Sequence, residues 1–183
     1  VTLTGSNKAG SAVAAQAGKY LKKTVLELGG SDPYIVLEDA DLDLAAQLIV
    51  TSRLNNCGQV CIAAKRVIAV KDIEKDLTQK ITKLMSSYKA GNPLDHQTNL
   101  GPMARNDLRD TLQNQVEKSI KLGAKLICGG IIPKGKGFYY PPTLLTKVIP
   151  GMPAFDEELF GPVVTVISAE DEKQAIQYAN QSE

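Results

Sequence analysis

Apolar positions recur along the chain with two periods, and the periods separate helices from strands. Leu42, Ala45, Ala46 and Ile49 stand at i, i+3, i+4 and i+7, the stripe of a helix capped within Asp39 to Asp43 that carries the chain to Asn55. Ile73, Leu77, Ile81, Leu84 and Tyr88 mark a second helix ending near Gly91, and Leu108, Leu112, Val116 and Ile120 mark a third. Lys8 to Lys23 is an alanine-rich helical run behind the turn Gly5-Ser6-Asn7. Short apolar runs read as strands at Val1 to Thr4, Thr24 to Leu28, Tyr34 to Leu37, Arg66 to Val70, Lys125 to Cys128 and Pro162 to Ser168, with a further extended run reaching Val148. Glu170 to Glu183 has the look of a helix still in progress. Strands alternating with amphipathic helices predict an α/β fold, a mostly parallel sheet flanked by helices on both faces.

Two breaks in this pattern carry reactive groups. Asn55-Asn56-Cys57-Gly58-Gln59-Val60-Cys61 follows a helix end, and Glu27 sits just before Gly29-Gly30. A thiolate is the most nucleophilic ordinary side chain, and a carboxylate can deprotonate it or activate a water to release what the sulfur has captured. Gly29, Gly30 and Gly58 let backbone pass close to a ligand and offer N–H groups to an oxyanion. The plainer readings are that Cys61 is a small buried apolar residue and that Glu27 lies on the solvent side of an alternating strand. At the N-terminus, strand, tight turn and helix place Gly5 and Ser6 where a pyrophosphate meets unsatisfied N–H groups and a positive dipole end, although such turns are common in α/β proteins.

Composition narrows the partners. The 183 residues are 43% hydrophobic with a net charge of +1, which suits a globular chain with one core. Basic residues are scattered among carboxylates and only nine aromatics, three Phe and six Tyr, are present, so neither nucleic acid nor a membrane surface is an expected partner. The start lacks the regions of a signal peptide, and a cytoplasmic location is expected. Cys57, Cys61 and Cys128 form an odd set without metal-ligand spacing, and His96 is the lone histidine, so no metal site is expected.

Six segments in order resemble the aldehyde dehydrogenases along nearly the whole chain. They are Leu3-Thr4-Gly5-Ser6, Leu26-Glu27-Leu28-Gly29-Gly30, Asn56-Cys57-Gly58-Gln59-Val60-Cys61, Gly91-Asn92-Pro93, Gly101-Pro102 and Glu157-Glu158-Leu159-Phe160-Gly161-Pro162. Within that family the likeness is to the succinate-semialdehyde dehydrogenases, through Cys61-Ile62-Ala63-Ala64-Lys65-Arg66 and Gly101-Pro102-Met103-Ala104-Arg105, continuing into Asp107-Leu108-Arg109-Asp110.

The resemblance implies oxidation of a small-molecule aldehyde, with succinate semialdehyde as the expected substrate and NAD or NADP as cofactor. It makes Cys61 the nucleophile that forms a thiohemiacetal and then a thioester, and Glu27 the base for hydrolysis. It puts Glu158 on a cofactor ribose, Phe160 near the nicotinamide, and Gly5 and Ser6 near the pyrophosphate. The second oxyanion donor of the family is an asparagine that would precede residue 1, so Asn56 does not take that role. Residues 1–28 would end a dinucleotide-binding domain and residues 29–183 would form most of a catalytic domain truncated at its C-terminus. The isolated stretch is then expected to be inactive, and the full-length parent to be a homo-oligomer. Two competing readings stay open: a thiol redox module using Cys57 and Cys61, and a non-catalytic folding unit. A cysteine hydrolase is less attractive, because nothing places His96 beside Cys61.

Overall fold

A computed structural model describes residues 1–181, which divide into two compact units, Val1–Gly30 and the chain from Ser31 onward. In the first unit β1 (Thr2–Thr4) and β2 (Val25–Glu27) pair in parallel, with Leu3 opposite Leu26, and α1 (Asn7–Lys19) crosses between them. The Ser6 hydroxyl accepts from the Ala9 N–H at 3.3 Å and caps α1. The helix stops at Lys19 rather than at the expected Lys23. Lys22 N–H reaches back to the Ala17 carbonyl and Leu21 N–H to that of Gly18, each at 3.0 Å, with Leu21 left-handed at φ 53. This is the termination that glycine ordinarily makes; a leucine in its place costs about 1 kcal/mol and leaves no signal in the sequence.

The second unit is built on a five-stranded sheet. Its strands are β3 (Pro33–Val36), β4 (Arg66–Val70), β5 (Lys125–Cys128), β6 (Thr143–Thr146) and β7 (Val163–Ala169), arranged β3-β4-β7-β6-β5. The pairs β3–β4, β4–β7 and β6–β7 are parallel, as the alternation of helices and strands predicts. Among the described residues only β5–β6 is antiparallel. A parallel return needs a crossover helix, and residues 129–142 contain none, so the chain turns straight back. All five residues of β4 are buried, which means that both faces of this strand are covered.

The helices around it are α2 (Leu42–Leu54), α3 (Lys71–Met85), α4 (Asn106–Lys121), α5 (Pro153–Asp156) and α6 (Glu172–Ala179). Asp41 caps α2 by accepting from the N–H groups of Asp43 and Leu44 at 3.0 and 3.1 Å. α3 ends six residues before Gly91, where the hydroxyls of Ser86 and Ser87 take the carbonyls of Lys83 and Leu84, both at 2.7 Å, in place of further turns of helix. The extended run to Val148 narrows to β6, and the expected loop before Glu158 contains α5, started by Pro153 with its preset φ. The last helix is shorter than expected, beginning after the Asp171 cap and ending at Ala179; residues 182 and 183 of that expectation lie outside the described residues.

Among the described residues three cations are buried to 1% exposure or less: Arg53, Lys65 and Arg66. Arg66 explains its own position. It donates to the carbonyls of Ser31 (2.8 Å), Tyr178 (2.8 Å) and Ala179 (3.1 Å) and stacks 5.4 Å above the Phe155 ring, so that β4 holds the negative end of α6.

Candidate functional site

α2 delivers the chain into a single turn, Asn55–Gly58, that breaks helical geometry. Asn56, Cys57 and Gly58 take left-handed angles in succession, with φ of 49, 55 and 72. Glycine adopts this region freely and asparagine tolerates it, but for Cys57 it costs about 1 kcal/mol or more unless neighbours impose it. Neighbours do. The Asn56 side-chain amide donates to the Gln59 carbonyl at 3.2 Å while the Gln59 amide donates to the Asn56 carbonyl at 3.1 Å. Gln59 Oε1 also accepts from the Ala104 N–H at 2.9 Å.

Past this turn the chain exposes its thiol. Cys61 is exposed and Ile62 beside it is 68% exposed, whereas Cys57 is buried and Cys128 is intermediate. The far side of the loop is tied down: Ser52 Oγ accepts from the Ala64 N–H at 3.1 Å and lies 3.2 Å from the Tyr34 hydroxyl, which donates to the Ile62 carbonyl at 3.4 Å. Among the described residues the Cys61 N–H donates to no acceptor. An exposed sulfur with a free amide on the same residue can attack a carbonyl carbon and steady the oxyanion that results.

Two buried cations brace this loop against residues 158–161. Arg53 Nη2 donates to the carbonyls of Gly58 (2.8 Å), Leu159 (2.7 Å) and Gly161. Burial holds the Arg53 guanidinium down at about 10, partly offset by the charges of Glu158 and Cys57. Lys65 Nζ donates to the Cys61 carbonyl and lies 3.3 Å from Glu158 Oε1. Burial lowers the Lys65 ammonium, and Glu158 opposes that shift. Cys61, Glu158 and the half-buried Phe160 therefore belong to one braced assembly. Glu158 Oε1 is buried, and its contact with Lys65 is an ion pair without hydrogen-bond geometry, so it keeps acceptor capacity.

The remaining candidates sit in the first unit. Glu27 ends β2 with its side chain exposed, on the solvent side of the alternating strand, and its carbonyl accepts from the Gly5 N–H at 3.0 Å. Gly5 and Glu27 are thus adjacent through backbone. The Gly5 N–H is engaged there, and Ser6 is the cap of α1.

Arg53, Gln59, Lys65 and Gly161 were not among the sequence candidates. A signal for Arg53 existed: Ala46, Ile49, Val50 and Arg53 are spaced i, i+3, i+4, i+7, so the arginine falls on the buried stripe of α2. Lys65 follows Ala63-Ala64 and enters a strand buried at every position, which demands acceptors for any cation there.

Burial pushes the Cys57 thiol up to about 12 against a partial pull from Arg53, and burial also raises Cys128. A cavity of about 600 Å³ bordered by Glu74, Lys75, Thr78, Lys125 and Lys147 includes no residue of the thiol loop. Among the described residues no three His, Cys, Asp or Glu side chains gather as a metal ion requires, and no helix is long and apolar enough to cross a membrane.

Comparison with known proteins gives concordant findings. A family model described as the aldehyde dehydrogenase family matches residues 1–183. The chain is 53% identical over 183 residues to the succinate semialdehyde dehydrogenase Sad, NAD(P)+, of Escherichia coli (strain K12), covering all of this chain and 40% of that protein. It is 46% identical over 182 residues to an NADP(+) succinate-semialdehyde dehydrogenase of Deinococcus radiodurans, covering 100% of this chain and 38% of the relative. The solved structure of lactaldehyde dehydrogenase from Escherichia coli superposes with a TM-score of 0.97 at 40% identity, covering 100% of this chain and 38% of that one. The chain thus spans about 40% of the length of such curated relatives.

Proposed function

The chain belongs to the aldehyde dehydrogenase family, and on that premise we propose that the full-length protein oxidises an aldehyde to its carboxylate with NAD or NADP as acceptor. Succinate semialdehyde is the proposed substrate, supported by the 53% and 46% identity to relatives named for that activity. The observation that carries the chemistry is the exposed Cys61 thiol on a loop braced by Arg53 and Lys65 to the segment bearing Glu158 and Phe160.

Cys61 Sγ, as thiolate, adds to the aldehyde carbon, and the carbonyl π pair moves onto oxygen to give a thiohemiacetal oxyanion that the Cys61 N–H stabilises. Oxidation of that carbon requires an acceptor for its hydrogen and electron pair, which a nicotinamide cofactor held by Glu158, Phe160, Gly5 and Ser6 would supply. A thioester remains on Cys61. Glu27 accepts a proton from water, the water oxygen adds to the thioester carbon, and the carbon–sulfur bond breaks to return the thiolate and release the carboxylate.

The residues fit such a cofactor. A carboxylate only accepts hydrogen bonds, and the buried Glu158 Oε1, with none, suits a ribose hydroxyl, which donates. Phe160 supplies an apolar wall for the nicotinamide. Ser6 at the start of α1 serves the pyrophosphate through the helix N-terminus, with Gly5 giving clearance rather than a donor, its N–H being spent on Glu27. The division at Gly30 supports reading residues 1–28 as the end of a dinucleotide-binding domain and residues 29–183 as most of a catalytic domain. A cytoplasmic homo-oligomer is part of the same proposal.

The test is cofactor reduction by the full-length protein. Succinate semialdehyde should exceed a plain aliphatic aldehyde in kcat/KM by about tenfold or more. Cys61→Ser should abolish reduction with either, and an unchanged steady rate would reject the nucleophile.

A further inference from the structure

The three buried cations divide by what they reach. Arg66 serves the carbonyls of Ser31, Tyr178 and Ala179, and Arg53 those of Gly58, Leu159 and Gly161. Among the described residues, Lys65 is the one of the three with a carboxylate oxygen within ion-pair range, Glu158 Oε1 at 3.3 Å, and the same Nζ donates to the Cys61 carbonyl. At 1% exposure it has given up its hydration for these contacts.

We propose that Lys65 is a positioning residue that links the grip on the cofactor ribose to the placement of the nucleophile, through one ammonium shared between the Cys61 carbonyl and the Glu158 carboxylate. The inference rests on the reading of Cys61 as nucleophile and Glu158 as ribose ligand. An ammonium donates to the Cys61 carbonyl through an N–H while its charge faces the Glu158 carboxylate from another direction. The 3.3 Å contact is long for a charge-assisted hydrogen bond, which leaves Glu158 Oε1 with acceptor capacity for a hydroxyl while Lys65 fixes where that oxygen lies. A hydroxyl donating to Glu158 draws on the charge that Lys65 otherwise faces alone. The pull of the ammonium on the Cys61 carbonyl then changes, and with it the set of the thiol. The interior position makes the link stiff, because packed neighbours leave Nζ little room to relax.

The experiment compares full-length wild type, Lys65→Met, Glu158→Gln and the double variant. Its readouts are the Kd for NADP by equilibrium dialysis and the rate of Cys61 carbamidomethylation by iodoacetamide without cofactor. Lys65→Met should weaken NADP by about tenfold and change the alkylation rate by about threefold or more, whereas in the Glu158→Gln background it should weaken NADP by less than about twofold. Unchanged Kd and alkylation rate in Lys65→Met, or the same loss of NADP affinity in both backgrounds, would overturn the link. Should Lys65→Met fail to fold in a thermal melt, Lys65→Gln, neutral but still a donor, is measured in the same cycle with the same expectations for Kd. Cys61→Ser tests the underlying reading separately: if that variant still reduces cofactor, the nucleophile is wrong however the Lys65 variants behave.

Discussion

Gly58 passes so close to Gly161 that a β-carbon at position 58 would overlap the Gly161 carbonyl oxygen. With φ at +72, any L side chain there is also strained. Gly58→Ala should therefore lose about 3 kcal/mol of stability from clash and backbone together, read as a lowered urea midpoint at constant slope. A midpoint shift worth less than about 0.5 kcal/mol would show that the two strands of chain can part without cost.

Arg53 has no carboxylate in ion-pair range among the described residues, and its guanidinium leaves Nε and Nη1 without partners while Nη2 serves three carbonyls. Its worth is in organising backbone. Arg53→Met removes the charge but strands those carbonyls, and we expect a loss of about 2 kcal/mol together with faster proteolysis within residues 55–62. Protection of that loop at wild-type level would argue that the carbonyls are held by other means.

Cys57 and Cys61 should separate by chemistry. With its thiol pushed up to about 12 and its side chain buried, Cys57 stays protonated at pH 8, so iodoacetamide should label Cys61 and leave Cys57 intact, as peptide mass analysis would show. The same shift sets a pH dependence. Between the ordinary value of 9.0 and about 12 the unfolded thiol ionises while the folded one does not, so the native state binds more protons and stability falls as pH rises, by about 1.4 kcal/mol per unit. Below pH 9 both states keep the proton and this loss of stability is absent. Unfolding curves of wild type and Cys57→Ala should accordingly shift in favour of the variant from pH 9 to pH 10.5, and a constant difference would contradict the buried-thiol assignment.

Glu27→Gln in the full-length protein should leave thioester formation intact and hydrolysis stalled. Stopped-flow absorbance is expected to show a burst of about one reduced cofactor per site and a steady rate reduced by about a hundredfold or more. Turnover without a burst, at the wild-type rate, would remove Glu27 from the base role.

Much of the fold was legible because its signals are local. Leu42, Ala45, Ala46 and Ile49 announce α2, and the apolar residues Val67 to Val70 that follow Arg66 announce a strand. Helix ends were less so: α1 stops through a left-handed Leu21, a position where the sequence shows no glycine. The exposed loop holding Cys61 follows from its run of Asn, Gly and Gln, but the bracing of that loop does not. Arg53 finds carbonyls 106 and 108 residues away, and Lys65 finds a carboxylate near the same stretch, so only the assembled sheet tells what these cations touch. Glu158 and Phe160 were singled out by likeness to a family; nothing in their spacing marks them.

The separation between the loop and its braces also orders events during synthesis. A ribosome makes Arg53, Cys61 and Lys65 roughly a hundred residues before it makes Leu159 and Gly161, at about 5–20 residues per second. For those several seconds Arg53 has the Gly58 carbonyl and Lys65 the Cys61 carbonyl within its own stretch of chain, but neither can yet reach residues 158–161. The loop that carries the Cys61 thiol is therefore tied to its distant segment only when that segment docks, by completion of the sheet rather than by translation of the residue itself.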